Sequence, residues 1–208
     1  MLSLNNITKK YGKQTVLDSL SISFEPGEFV MILGPNGSGK STLLSIIASA
    51  IKPDGGQVSI DGKEGGAAKG QVSYVPQDIV LFEELNAVEN LYCWSDKAMG
   101  ETGATIESLS QELGMKDFMK KRVSRLSGGQ RRRVSIAAGL INDRRYVVMD
   151  EPFAGIDRQG ADLLLGLLNR LKSEGKCVII CEHNESFLKD RVTRIVRIEN
   201  GQIVSDDN

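Results

Sequence analysis

A chain of 208 residues, 40% apolar and 25% charged, carries enough hydrophobic side chains to build the core of one domain with a sub-domain, which excludes a disordered or low-complexity polypeptide. Its formal net charge is −1 and its pI about 6.0, so the basic excess of a general polynucleotide binder is missing and no nucleic acid is expected as partner. The apolar runs fall far short of the ~20 residues of a membrane span, and "MLSLNNITKKYG" at the start lacks the apolar stretch of a signal peptide; the expectation is a cytoplasmic protein that reaches a membrane only through another protein.

The first sixty residues read mostly as strands. "LSLNNIT", "VLDSLSISF" and "QVSIDGK" alternate apolar and polar residues with period two, and "EPGE" at 25–28 is a turn between them. "FVMIL" at 29–33 is a continuous apolar run, as expected of a strand covered on both faces. "GPNGSGKST" follows it, and "STLLSIIASAI" then has apolar residues at helical spacing. "EGGAAKG" at 64–70 is a small-residue loop and "VSYVPQ" at 72–77 a short strand. From Asp78 to about Arg125, "AVENLYCW", "TIESLSQELG" and "MKDFMKKRVSRL" carry helical periodicity and predict a mainly helical insertion.

The helix predicted after Ser127 groups Val134, Ala137, Ala138 and Ile141 on one face and leaves the Arg131–Arg133 tract as a solvated face. "YVVMDEP" at 146–152 reads as a buried strand ending in two acids. "GADLLLGLLNRLKSEG" reads as an amphipathic helix capped by Gly175. "CVIICEH" is a third buried strand, and "RIVRIENGQIVSD" is a hairpin with an Asn-Gly turn. Cys93, Cys177 and Cys181 are an odd set that predicts reduced thiols, with Cys177 and Cys181 on one face of a strand inside the core. The sum is an α/β fold with a parallel sheet core and an antiparallel piece from the N-terminal third.

Two stretches carry chemistry on their own residues. "GPNGSGKS", from Gly34 to Ser41, fits the phosphate-loop pattern G-x-x-x-x-G-K-[ST], and its place between a strand and a helix is the context that pattern requires. Its glycines let backbone N–H groups converge on phosphate oxygens, Lys40 reaches the β- and γ-phosphates, and Ser41 offers a hydroxyl to Mg²⁺. Asp150 and Glu151 end a strand where ligands collect in open α/β sheets; Asp150 is expected to hold Mg²⁺ through water and Glu151 to polarise an attacking water.

With "LSGGQ" at 126–130 added, the chain resembles the ATP-binding subunit of an ABC transporter along nearly its full length. The order of parts also matches: an aromatic residue near the N-terminus, the phosphate loop, a Gln after a strand, the signature, the acid pair, a D-loop and a switch His. That resemblance implies a RecA-like P-loop NTPase core with an N-terminal antiparallel β subdomain and a helical, signature-bearing subdomain. As one ATP-binding domain over 1–208, the core with its β subdomain and phosphate loop would occupy 1–77, the helical subdomain 78–125, and the signature helix with the rest of the core 126–208.

The resemblance further implies ATP and Mg²⁺ as ligands, bound by Gly34, Pro35, Asn36, Gly37, Ser38, Gly39, Lys40, Ser41 and Thr42, with Tyr11 stacked on adenine. Gln77 would touch Mg²⁺ and the attacking water and sense the membrane partner. Ser127, Gly128, Gly129 and Gln130 would form the signature turn that meets the γ-phosphate of a second subunit's ATP. Asp157, in "AGID", would be the D-loop acid, and His183 the switch histidine beside the γ-phosphate. "LFEELNAVENL" at 81–91 resembles the segment that contacts transmembrane permease subunits.

Two copies, or this chain and a related ATPase subunit, are then expected to pack head to tail, with hydrolysis powering transport through the permease. An alternative is a non-transport ABC-type ATPase acting in DNA repair or on ribosomes, although such relatives typically carry two such domains or a long coiled coil. A regulatory ATP-binding module without turnover is disfavoured by the presence of both Glu151 and His183. Arg144 and Arg158 stand where the family often has Pro, Gly155 and Ile156 depart from the usual D-loop, and "EGGAAKG" is short. No regulatory domain is expected after the closing hairpin, and "EPFAGID" leans toward an exporter-like subfamily.

Overall fold

The computed structural model describes residues 1–65, 70–182 and 188–207. It contains two sheets. Strands β1 (Leu2–Tyr11), β2 (Gln14–Phe24), β4 (Gly55–Ile60) and β5 (Lys63–Glu64) form an antiparallel sheet in the order β2-β1-β4-β5. Strands β3 (Phe29–Leu33), β6 (Val72–Val75), β7 (Tyr146–Asp150), β8 (Cys177–Cys181), β9 (Arg194–Glu199) and β10 (Gln202–Asp207) form the second, in the order β10-β9-β3-β8-β7-β6. All neighbours in that sheet run parallel except β10, which pairs antiparallel with β9. The fold is a P-loop NTPase α/β fold with an added antiparallel sheet.

The continuous apolar strands are explained by burial on both faces. Phe29, Met31 and Leu33 of β3 face one hydrophobic cluster, together with Val147, Met149, Val178 and Ile180. Val30 and Ile32 face the other, with Val148, Ile179 and the antiparallel sheet's Leu2, Leu4, Ile7 and Phe24. Cys177 and Cys181 lie in this second cluster, fully buried, and all three cysteines are free thiols. Burial pushes the Cys177 thiol up to about 12 and that of Cys181 well above its ordinary value, so neither is a ready nucleophile.

Five α-helices are described: α1 (Lys40–Ile47), α2 (Ala87–Trp94), α3 (Met99–Glu112), α4 (Gly128–Leu140) and α5 (Arg158–Ser173). Helix α1 ends at Ile47, short of the expected run to Ile51, where Ser49 turns left-handed at φ 57°. Helix α3 begins six residues before the expected "TIESLSQELG". The Thr102 hydroxyl donates to the Ala98 carbonyl 3.0 Å away, holding a first turn that Gly100 and Gly103 disguise in the sequence.

The expected helix over "MKDFMKKRVSRL" is a series of turns ending in a 3₁₀ turn at Val123–Arg125. Its apolar residues mimic helical spacing, yet its backbone bonds outward: the Val123 N–H donates to the Leu85 carbonyl (2.9 Å) and that of Ser124 to Glu83 (3.1 Å). The closing hairpin is as expected, with Asn200 and Gly201 both left-handed at φ 48° and 77°. Gly175, at φ 78°, follows the end of α5 as the C-terminal signal required.

Candidate functional site

β3 ends at Leu33 and delivers the chain into residues 34–39, which lead directly into α1. Gly34, Gly37 and Gly39 take φ 154°, 79° and 103°. At Gly39 a Cβ would collide with the Leu17 side chain at 2.7 Å and the Val16 carbonyl at 2.8 Å, so this turn excludes every other residue. Gly39 also occupies the N-cap of α1 and supplies no side-chain cap. The amides of the first turn are therefore left to an external acceptor, which is the arrangement of a phosphate cradle. Lys40 is only 6% exposed; its ammonium donates to the Gly34 and Pro35 carbonyls at 2.8 and 3.0 Å and is thereby folded back over its own loop. Ser38 is a buried residue of this loop; its N–H donates to the Pro35 carbonyl at 3.2 Å, and its own carbonyl accepts from the Gly201 N–H at the tip of the closing hairpin at 3.2 Å.

A cleft of about 430 Å³ opens over this loop. It gathers Asn36, Gly37, Gly39, Lys40, Ser41 and Thr42 from the loop and α1, Tyr11 from the end of β1, Gln77 from beyond β6, and Glu151 from beyond β7. Tyr11 is half exposed, with the Lys9 ammonium 5.6 Å from its ring centre. The Gln77 amide donates to the Glu151 carboxylate at 3.2 Å, joining two residues 74 positions apart in the chain. Glu151 itself takes φ 47°, a left-handed conformation uncommon for a non-glycine residue, held by its N–H donating to the Cys181 carbonyl at 3.1 Å.

Asp150, the last residue of β7, is 2% exposed, and its Oδ1 is buried without a hydrogen-bond partner. Burial raises its carboxyl above the ordinary carboxylate range; the adjacent Ser41 hydroxyl and then the Lys40 and Arg132 charges pull it back, while Glu151 adds to the rise. A buried carboxylate oxygen with a free lone pair beside a serine hydroxyl is the oxygen-only donor set that suits a hard cation such as Mg²⁺. No group of three His, Cys, Asp or Glu converges among the described residues.

The signature turn lies elsewhere. Ser127 caps α4 in a reciprocal box: its hydroxyl accepts from the Gln130 N–H at 3.2 Å, and its own N–H donates to Gln130 Oε1 at 3.0 Å. Ser127 and Gly128 are exposed, and neither they nor Gly129 line the 430 Å³ cleft. A Cβ on Gly129 would come within 3.2 Å of the Gly155 carbonyl, so the start of α4 rests on the 154–157 loop. Asp157 is the N-cap of α5 and accepts from the Gly160 N–H at 2.8 Å. His183 lies outside the described residues.

The reading of Arg131–Arg133 as a solvated face is overturned. Arg132 is 2% exposed. Its Nη1 donates to the carbonyls of Pro76 and Gln77 at 2.8 and 2.9 Å, its Nη2 to those of Asp150 and Glu151 at 2.7 and 2.8 Å, and its Nε to Pro152 at 3.4 Å. Burial lowers its pKa, against the pull of Asp150, Glu182 and Glu151. Arg133 is likewise engaged, donating to the Leu113 and Gly114 carbonyls and lying 5.1 Å from the Phe118 ring centre. A signal for Arg132 was present: consecutive helical residues are about 100° apart, so three cannot share one face, and Arg132 falls on the stripe of Ile136 and Leu140.

The ABC transporter family's sequence model matches residues 17–154, two thirds of the chain. The chain belongs to the ABC transporter family. The linearmycin resistance ATP-binding protein LnrL of Bacillus subtilis (strain 168) is 34% identical, over 99% of this chain and 68% of that protein. The macrolide export ATP-binding/permease protein MacB 1/2 of Paracoccus denitrificans (strain Pd 1222) is 32% identical over 99% of this chain, which spans 33% of that longer protein. Among solved structures, the dimeric post-hydrolysis state of the ATP-binding cassette MJ0796, bound to ADP and Pi, superposes with a TM-score of 0.90 at 29% identity, covering 100% of this chain and 98% of that one. This ABC protein is thus an ATPase of the cassette type.

Proposed function

We propose that this ABC ATPase binds Mg-ATP between two head-to-tail ATPase domains and uses its hydrolysis to power transport through separate transmembrane permease subunits. One observation carries the proposal: the cleft collects the phosphate loop, Gln77 and Glu151, while the signature turn stands outside it, exposed and rigidly capped. A second domain facing the first would supply its own signature turn to complete the site. Support for pairing also comes from MJ0796, which is described as a dimer. Named roles in resistance and macrolide export among the relatives favour outward transport. Among the described residues no helix is long and apolar enough to cross a membrane, so the membrane path is assigned to partners and the chain to the cytoplasmic face.

In this reading the amides of residues 34–42 and the Lys40 ammonium bind the phosphates, and the Tyr11 ring covers the base. Ser41 and Asp150, with Gln77, would hold Mg²⁺, which supplies charge neutralisation on the β- and γ-phosphates. Glu151 accepts a proton from the attacking water, and its hydrogen bond to Gln77 sets the carboxylate's orientation before substrate arrives. His183 is assigned to the γ-phosphate, and Asp157 is assigned to nucleotide binding as the D-loop acid beside the signature turn.

Glu151→Gln tests the assignment. It keeps the shape and removes the base: ATP affinity should stay within about threefold while kcat falls roughly 10²- to 10⁴-fold. Hydrolysis at the unaltered rate would remove Glu151 from its role.

A further inference from the structure

We infer that Arg132 is a positioning residue that locks the Gln77 loop, the Glu151 loop and the signature helix into one unit, so that movement of α4 is felt by the hydrolytic pair. The inference rests on the ATPase reading above. A guanidinium carries five N–H donors in a rigid plane. Here all five are spent, each on a backbone carbonyl, two from residues 76–77 and three from residues 150–152. These carbonyls belong to the two segments that present Gln77 and Glu151 to each other at 3.2 Å. Arg132 itself is in the second turn of α4, five residues after the Ser127 cap.

The mechanical consequence follows from rigidity. The seat of α4 on the sheet is tight, because a Cβ on Gly139 would collide with the Tyr74 carbonyl at 2.6 Å and the Val75 side chain at 2.5 Å. A helix so seated cannot slide freely over β6, and its start can shift only by carrying the guanidinium with it. Because one plane holds both carbonyl sets, the Gln77 and Glu151 segments shift together. An ångström of misplacement at such a pair can change turnover by about 10²-fold. Arg132 does not line the cleft, and its five bonds go to residues 76–77 and 150–152 rather than to the phosphate loop, so its substitution leaves the phosphate contacts of residues 34–42 in place.

The test uses the full chain with Arg132→Lys, whose point charge cannot span the five carbonyls, and Arg132→Gln, which places no charge among them. ATP turnover, KM and thermal midpoint are measured for each, alone and combined with Gln77→Ala, beside wild type and Glu151→Gln. The expected result is a loss of about tenfold or more in kcat with KM within about twofold. In the Gln77→Ala background the same substitutions should cost less than about threefold further, since the pair they align is already broken. If Arg132→Lys does not fold, Arg132→Gln carries the same comparison. Turnover near wild type in either folded variant, or a loss that is undiminished in the Gln77→Ala background, would overturn the inference. Absence of turnover in the wild type, or turnover indifferent to Glu151→Gln, would instead defeat the ATPase reading on which it stands.

Discussion

Asp150 combines 2% exposure, an unpartnered carboxylate oxygen and a pKa raised mainly by burial. Charging such a group costs the folded state. The cost is absent below the ordinary value of 3.8, where both folded and unfolded chains are protonated, and it grows as pH rises through the folded value. Asp150→Asn keeps the shape and removes the charge, so at pH 7 the nucleotide-free variant should melt a few degrees higher than the parent, on the order of 1 kcal/mol for a chain of this size. The difference should vanish near pH 4. The same variant should lose the extra stabilisation that Mg²⁺ adds to ATP, while keeping that of ATP in EDTA. Differential scanning calorimetry across pH, with and without Mg²⁺, reads both effects; a variant less stable at pH 7 than the parent would show that the carboxylate is compensated inside the protein.

At the scale of elements, the fit of α4 against β6 is set by Gly139, where a Cβ would stand 2.6 Å from the Tyr74 carbonyl. Gly139→Ala gains helix propensity of about 1 kcal/mol but cannot be accommodated without lifting the helix, and overpacking against backbone costs about 1–3 kcal/mol. A net fall in Tm of several degrees is expected by circular dichroism; a rise would mean that the helix can shift without penalty. Nothing in "SIAAGL" announces this close approach, because it is created by a strand sixty-five residues earlier. Local chemistry was legible in the sequence: the glycine-rich phosphate loop, the Asn200–Gly201 hairpin turn, the strands buried on both faces, and the acid pair at a strand end. Contacts between distant segments were not. The order that places β8 between β3 and β7 depends on long-range pairing, the turns at 115–126 depend on backbone bonds to residues 83–85, and the helical stripe marks Arg132 as buried without naming the carbonyls of residues 76–77 and 150–152 that it binds.

For the whole molecule, the proposal that two domains share each ATP turns on Ser127. Its side chain already has an intramolecular duty, capping α4 by accepting from the Gln130 N–H, so a disruptive substitution risks confusing a lost cap, worth about 0.5–2 kcal/mol, with a lost interface. Two substitutions separate these effects. Ser127→Arg adds bulk at an exposed turn and gives up the cap. Ser127→Asp is an equally good N-cap residue and stabilises the helix start through the dipole, yet it places a carboxylate where a partner's γ-phosphate is proposed to approach. In the Glu151→Gln background, where ATP is held without turnover, the parent should form an ATP-dependent dimer by light scattering. Both Ser127 variants should remain monomeric, although Ser127→Asp melts no lower than the parent and binds ATP with unchanged affinity. Monomers from a stable, ATP-loaded Ser127→Asp variant can come only from repulsion across an interface, since the fold and the phosphate loop are intact. An ATP-dependent dimer that survives both substitutions would place the signature turn outside the interface, and the second phosphate-facing turn of this chain would then have no partner to clasp.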